Sequence, residues 1–282
     1  MSAVAIEIVT LLERMATVAT LPRVHALHLP PTAADGSRDG EFCAIELEDG
    51  SLGMSFVLLG DTLSVLRDAN GHAALEGMPA LALAKRYADN IGAQRALGFA
   101  AVNAITRHLF DRSGFEPRSA HGSIGDLDLK PGDHLGMIGL FPPLVRQVLA
   151  TGATLTVLEL RADLAGPRDG WHVTLDAAEL AGCNKILSTS TVLLNDTLDG
   201  ILTRCQHAKR ITLVGPGAGC LPDPLFARGV TLLGGSWIMD AAAFKSALGA
   251  GEPWGIFTRK FALGAGDYPG FDKLLATAVG RL

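Results

Sequence analysis

A carboxylate at Glu159, a thiol at Cys220 and a row of hydroxyls at Ser188, Thr189, Ser190 and Thr191 are the residues of this 282-residue chain whose types and spacing suit chemistry. Cys220 could give a transition metal a sulfur donor. The string STSTVLLND, residues 188–196, offers four hydroxyls and the Asn195 amide, with no titratable group before Asp196. That supply favours hydrogen bonding to a ligand over proton transfer. GPGAGC, residues 215–220, offers bare backbone that can cradle an anion, or coordination through Cys220. Each feature also has a structural reading. Glu159 can be a solvated strand end paired with Arg161, the hydroxyls can be caps and turn formers, and Cys220 has no histidine near it in sequence to activate it. His25 and His28 have a metal-like spacing, but on a strand the two rings point to opposite faces. No G-x-S-x-G elbow, H-E-x-x-H pair or P-loop string occurs, so the common hydrolase, zincin and P-loop chemistries lack their signatures.

The elements that must position these residues follow from apolar runs. LGMIGLFPP, residues 135–143, reads as a buried parallel strand entering a helix, and a second such run follows at 155–160. This is a βαβ opening, yet its turn carries Gly139, Leu140, Phe141, Pro142 and Pro143 instead of G-x-G-x-x-G. Two prolines remove two N–H donors where a pyrophosphate would sit, while suiting the first turn of a helix. The architecture reads as Rossmann-like and the chemistry as something other than an ordinary NAD site. Further strands are expected at 185–188, 211–214 and 230–233, with helices at 144–150, 176–181, 197–205 and 241–248 and a short turn at 224–227. Alternation of this kind implies a mainly parallel sheet. Its carboxyl edge gathers segments 140–143, 159–161, 188–191 with Asn195, 215–220 and 234–237, and Glu159 falls about twenty residues past Gly139, where an acidic residue holds ribose hydroxyls.

Before residue 112 the order differs. Residues 4–18 have helical apolar spacing. A strand at 24–29 precedes a hairpin, 42–47 and 52–59, turned by Asp49 and Gly50. Pro79 opens a helix to about Tyr87, and 93–110 reads as a longer helix containing GFAAVNA, whose small residues permit close backbone approach around Asn103. Residues 112–133 have linker chemistry, which divides the chain into 1–111, the linker and 134–282. The fold class is therefore α/β: a small α+β domain followed by a Rossmann-like, mainly parallel sheet domain. Hydrophobic residues make up 48% of the chain and can fill two unequal cores. No apolar run spans a bilayer, and MSAVAIEIVTLLERMA is acidic where a signal peptide is basic, so a cytoplasmic protein without membrane partners is expected. A net charge of -5 argues against nucleic acid. Cysteines at 43, 183, 205 and 220 form no C-x-x-C pair, as in a reducing compartment.

The ordered strings GFAAVNA, MIGLFPPLV, VLELR, STSTVLLNDTL and LVGPGAGCLPDPLFARGVTLLGG together resemble the bacterial and archaeal family called "putative heavy-metal chelation". The resemblance covers nearly the whole chain. It implies an enolase N-terminal-like domain before a Rossmann-like one, with a site between them that binds a metal or metal chelate. Carried over by motif, the ligand-binding residues are Asn103, Gly139, Phe141, Pro142, Pro143, Glu159, Thr189, Thr191, Asn195, Thr197, Gly215 and Pro216. Glu159 and Cys220 are the metal candidates. The family tends towards Gly-Thr-Thr and Gly-Pro-Ser in the third and fourth loops, where this chain has Ser-Thr-Ser-Thr and Gly-Pro-Gly. Direct coordination would draw on Glu159, Asp196, Cys220 and a histidine such as His134, a thin set that favours a preformed chelate over a bare ion. The other reading is an enzyme using an adenosyl ligand such as S-adenosylmethionine, with Glu159 on its ribose and no pyrophosphate to require the missing glycines. A homo-oligomer without chemistry, in its simplest form a homodimer, is a third.

Overall fold

In the computed structural model the described residues are 2–31, 42–68, 75–120, 122 and 126–280. The chain opens with helix α1 (Ala3–Val18), which buries Val4, Ile8, Leu12 and Met15 along one stripe. Strands β1 (Val24–His28), β2 (Phe42–Leu47) and β3 (Leu52–Phe56) make an antiparallel sheet in that order. Gly50, with φ 85°, makes the turn between β2 and β3. Helices α2 (Thr62–Asp68), α3 (Ala80–Asp89) and α4 (Gly92–Ser113) follow. Strand β2 is buried at every residue, because helices cover both faces of the small sheet. Cys43, Ile45 and Leu47 join the cluster that holds α4, while Phe42 and Ala44 pack with Phe244, Leu248 and Trp254 from the far end of the chain.

The larger sheet is built from β4 (Arg118–Ser119), β5 (His134–Ile138), β6 (Thr154–Leu158), β7 (Gly166–Arg168), β8 (Trp171–Thr174), β9 (Lys185–Thr189), β10 (Arg210–Val214), β11 (Leu232–Ile238) and β12 (Thr258–Gly264). Helices α5 (Pro142–Ala150), α6 (Leu198–Leu202), α7 (Asp223–Phe226), α8 (Ala241–Ala250) and α9 (Phe271–Val279) intervene or follow. Its order is β4-β12-β11-β10-β9-β5-β6-β8-β7. The six strands from β8 to β11 are mutually parallel, and antiparallel strands close both edges. In chain order these six lie 3-2-1-4-5-6, the doubly wound arrangement, which reverses direction between β5 and β9. Loops leaving those two strands diverge and open a crevice.

Several elements differ from expectation. Segment 230–233 belongs to a strand that begins later and runs through Ile238, because β11 pairs along its whole length with β12; residues 234–237 are therefore ladder and not loop. The helix expected at 176–181 is a 3-10 helix over Ala177–Gly182, capped by the Asp176 carboxylate. The one expected at 197–205 is helical only over Leu198–Leu202. Of the expected linker, residues 112–113 belong to α4, 118–119 form β4, and 121 and 123–125 lie outside the described residues. One apolar cluster runs from Ile8 and Phe99 through Leu193 and Leu221 to Phe271, so the two sheets share a core.

At the amino edge of the large sheet, Asp133 ties three segments together. Its carboxylate accepts from Lys185 Nζ at 2.8 Å, the Lys130 amide at 2.8 Å and Asn184 Nδ2 at 3.0 Å. The Lys185 bond, then the Lys130 and Asn184 bonds, hold this carboxyl down at about 2. An unfolded Asp titrates near ~3.9, so the folded state binds its proton more weakly than the unfolded state. The stabilisation is complete above that pH and is lost as pH falls toward 2. Urea midpoints measured from pH 5 to 2 should therefore fall more steeply for the wild type than for Asp133→Asn. Parallel curves would show that this network is not what acid breaks.

Candidate functional site

The crevice at the carboxyl edge contains two cavities with a shared wall. The larger, about 430 Å³, is lined by Gly139, Leu140, Phe141, Glu159, Leu160, Thr189, Thr191, Asn195 and Thr197 among others, with Phe56 and Leu59 reaching in from the small-sheet side. The second, about 300 Å³, is lined by Phe42, Phe56, Phe141, Thr189, Thr191, Gly215, Pro216 and Trp254. Nine of the carried-over residues thus lie on the two walls: Gly139, Phe141, Glu159, Thr189, Thr191, Asn195, Thr197, Gly215 and Pro216. Pro143 lies on a third cavity beyond Phe141, while Pro142 lines none of the three.

Each loop is held by local bonds that explain its sequence. Gly139 has φ 79° and its Cα lies against Thr189, where a Cβ would approach the threonine methyl to 3.1 Å. A side chain there would be strained by both backbone and contact. Phe141 caps α5, whose first two helical residues are Pro142 and Pro143, so the prolines start the helix as expected. Glu159 does not pair with Arg161, which is taken by Asp163. Instead its two oxygens accept the Leu140 amide at 3.0 Å and the Leu160 amide at 2.8 Å, fastening the loop after β5 to the loop after β6. Thr189 caps the 3-10 turn Ser190–Leu193 by accepting from the Thr191 amide, and donates to the Thr191 hydroxyl at 3.0 Å. Asn195 Oδ1 accepts from the Thr197 hydroxyl at 2.6 Å and its amide at 3.3 Å. The Thr191 hydroxyl proton and the Asn195 amide hydrogens have no acceptor among the described residues.

Asn103 is 3% exposed and lies deeper, as a brace between the sheets. Its Nδ2 donates to the Met54 carbonyl of β3 at 2.7 Å and to the Gly217 carbonyl in the loop after β10 at 2.8 Å. Its Oδ1 is buried without a partner among the described residues and adjoins a separate cavity of about 30 Å³, enough for one water molecule. Two more braces were not foreseen. The Tyr87 hydroxyl donates to the Leu193 carbonyl at 2.9 Å, and Arg95, 3% exposed, donates to that carbonyl at 3.1 Å and to Asp196 at 2.5 Å. These partners lie 98 to 106 residues apart, so no local pattern could have signalled them.

The metal donor set does not assemble. Cys220 is 1% exposed and burial pushes its thiol up to about 12, so it stays protonated; it lines none of the cavities. Its glycine-rich loop turns inward to pack on β3 and Asn103. His134 begins β5 at the amino edge, where its Nε2 lies 2.8 Å from the Thr156 hydroxyl. About 15 Å of strand separates that edge from the loop carrying Glu159. Asp196 is engaged by Arg95. Among the described residues no group of three or more His, Cys, Asp or Glu side chains is placed to hold an ion. A bare transition metal as a resident cofactor does not fit these residues.

Fold and cavity define a two-part α/β protein whose polar loop residues collect at the switch point of a doubly wound sheet. The chain belongs to the DUF364 family, described as "putative heavy-metal chelation": the family model matches residues 124–264, and a companion model of the same description, DUF4213, matches residues 40–106. An uncharacterised protein of Methanocaldococcus jannaschii is 28% identical over 190 residues, which cover 64% of this chain and 71% of that protein. Among solved structures, a DUF364 protein of unknown function from Desulfitobacterium hafniense superimposes with a TM-score of 0.68 at 20% identity, covering 90% of this chain and 96% of that one. Another from Pyrococcus horikoshii gives 0.63 at 20% identity, covering 94% and 99%. The shared fold is a small antiparallel sheet with helices joined to a larger, mostly parallel sheet. No helix among the described residues is long and apolar enough to cross a membrane.

Proposed function

We propose that this protein binds an organic small molecule, in the family's terms a preformed metal chelate, in the cavities between its two sheets. One observation carries the reading: the larger cavity sets aromatic and aliphatic walls, Phe56, Phe141 and Leu160, beside a short row of hydroxyl and amide groups. Apolar walls with a few convergent polar groups suit an organic ligand, whereas a naked ion needs several donors. Its single carboxylate among the described residues, Glu159, already accepts two main-chain N–H groups. A metal would therefore arrive as cargo inside its chelator, gripped through the chelator's carbon and oxygen atoms. The position of Glu159 after the second strand of the βαβ unit supports a second reading, an adenosyl ligand with its ribose on that carboxylate.

The test is elemental analysis of the purified, untagged protein together with mass spectrometry of the small molecules released on denaturation. The expected result is a transition metal and an organic chelator in comparable amounts. Phe141→Ala, by removing one of the two aromatic faces, Phe56 and Phe141, common to both cavities, should lower the retained amount of each about tenfold. A metal released without an organic partner would overturn the reading. A nucleoside without metal would transfer it to the adenosyl ligand.

A further inference from the structure

Beyond Phe141 lies a cavity of about 360 Å³. It is lined by Phe141, Gly215 and Pro216 on the side it shares with the crevice, and by Gly234, Gly235, Ser236, Lys260 and Phe261 of the β11–β12 ladder on the other. Phe141 stands on the wall of all three spaces, and Gly215 with Pro216 on two of them. The spaces therefore form one row, with Glu159 at one end and Lys260 at the other. The floor at the Lys260 end is main chain at Gly234, which lies in phase with Ser236 along β11 and where a Cβ would press on the Val214 side chain at 3.2 Å.

Charge distinguishes this end. Asp126, the one carboxylate on its wall among the described residues, is already held by Arg118 at 2.6 Å. Nearby Arg259 is held by Glu116. The Lys260 ammonium has no ion-pair or hydrogen-bond partner among the described residues, and neither has the Ser236 hydroxyl. Ser236 and Lys260 are direct cross-strand partners, so their side chains rise from the same face about 5 Å apart. An ammonium and a hydroxyl side by side, over bare backbone, present donors to an anion.

We propose that the space beyond Phe141 is a second compartment of the binding site, and that the ligand is an extended molecule whose far end carries an anionic group, a carboxylate, sulfonate or phosphate, held by Lys260 and Ser236. This rests on the organic-ligand reading above. The middle of such a ligand lies along Phe141 and Pro216, and its other end reaches the Thr191, Asn195 and Glu159 groups.

A pair of fluorescent probes separates this proposal from the reading beneath it: 1-anilinonaphthalene-8-sulfonate and its uncharged parent N-phenyl-1-naphthylamine, titrated against the full chain. The wild type should bind the sulfonated probe about fivefold more tightly than the neutral one. Lys260→Met should remove that preference without weakening the neutral probe, and Lys260→Arg should restore it. Phe141→Ala should weaken both. If Lys260→Met binds the sulfonated probe as the wild type does, or loses both probes equally, the anionic compartment is refuted. The organic-ligand reading would survive the first of those results provided that Phe141→Ala still weakens the neutral probe. Failure of the wild type to bind either probe would overturn both.

Discussion

Asp196→Asn should destabilise this protein more than Arg95→Met does, although the two substitutions break the same ion pair. The Arg95 guanidinium is buried at 3% exposure, lies 4.8 Å above the Tyr87 ring and has an Nε without a partner among the described residues, whereas the Asp196 side chain is 41% exposed. Removing the carboxylate strands a buried charge, at a cost of about 3 to 4 kcal/mol. Removing the arginine leaves a carboxylate that water can reach, and methionine fills much of the space, so about 2 kcal/mol is expected. Asn is the right probe at position 196 because φ is 58° there, a conformation that Asn tolerates. Thermal midpoints should fall by about 6–14 °C for Asp196→Asn and by about half that for Arg95→Met. The double variant, with no buried charge left, should recover part of the loss seen in Asp196→Asn. An equal or reversed order in the single variants would mean that Arg95 is solvated in solution and the brace is weak. Because Leu193, Asn195 and Thr197 flank this brace, probe binding in the larger cavity should decline along with stability.

That brace marks the limit of what the sequence conveys. Continuous apolar runs such as 135–139 and 155–160 carried the parallel strands, and topology then placed their following loops at one edge, so Gly139, Phe141, Glu159, Thr189 and Asn195 were findable together. Strand order follows from packing and not from any local string. The β7–β8 hairpin did carry a local signal, Asp169–Gly170 with Gly170 at φ 78°, but its strands are three and four residues long and one contains Pro167, which hides the alternation. Strand β12 alternates Arg259, Phe261 and Leu263 against Lys260 and Ala262, too weak a pattern to stand without its partner β11. Cys220 misled for a physical reason. A glycine-rich loop reads as exposed, and only the close approach of Gly217 and Gly219 to β3 and Asn103 turns the thiol inward.

Small residues in GFAAVNA predicted close backbone approach, and the structure makes that approach decisive for stability. A Cβ on Gly98 would fall on the main-chain nitrogen of Tyr87 in α3, and one on Gly53 would fall between the Ala104 nitrogen and the Ala100 carbonyl oxygen of α4. Two effects oppose each other at Gly98. Alanine is a better helix former than glycine by about 1 kcal/mol, so propensity alone makes Gly98→Ala stabilising. The contact is with rigid backbone, however, and overpacking of that kind costs about 3 kcal/mol or more. The net loss at Gly98 should be about 2 kcal/mol. At Gly53, where no helix propensity offsets the clash, it should reach at least 3, a large share of a total near ~10 kcal/mol. Gly249 in α8 supplies the control, since a Cβ there meets nothing within 4 Å. Gly249→Ala should gain up to about 1 kcal/mol. Urea unfolding of the three variants tests the ordering, and a Gly98→Ala protein as stable as Gly249→Ala would show that α3 and α4 can part without cost. If they cannot, displacement of α4 by Gly53→Ala must also carry Asn103 away from Met54 and Gly217, and the variant that still folds should bind the neutral probe more weakly than the wild type.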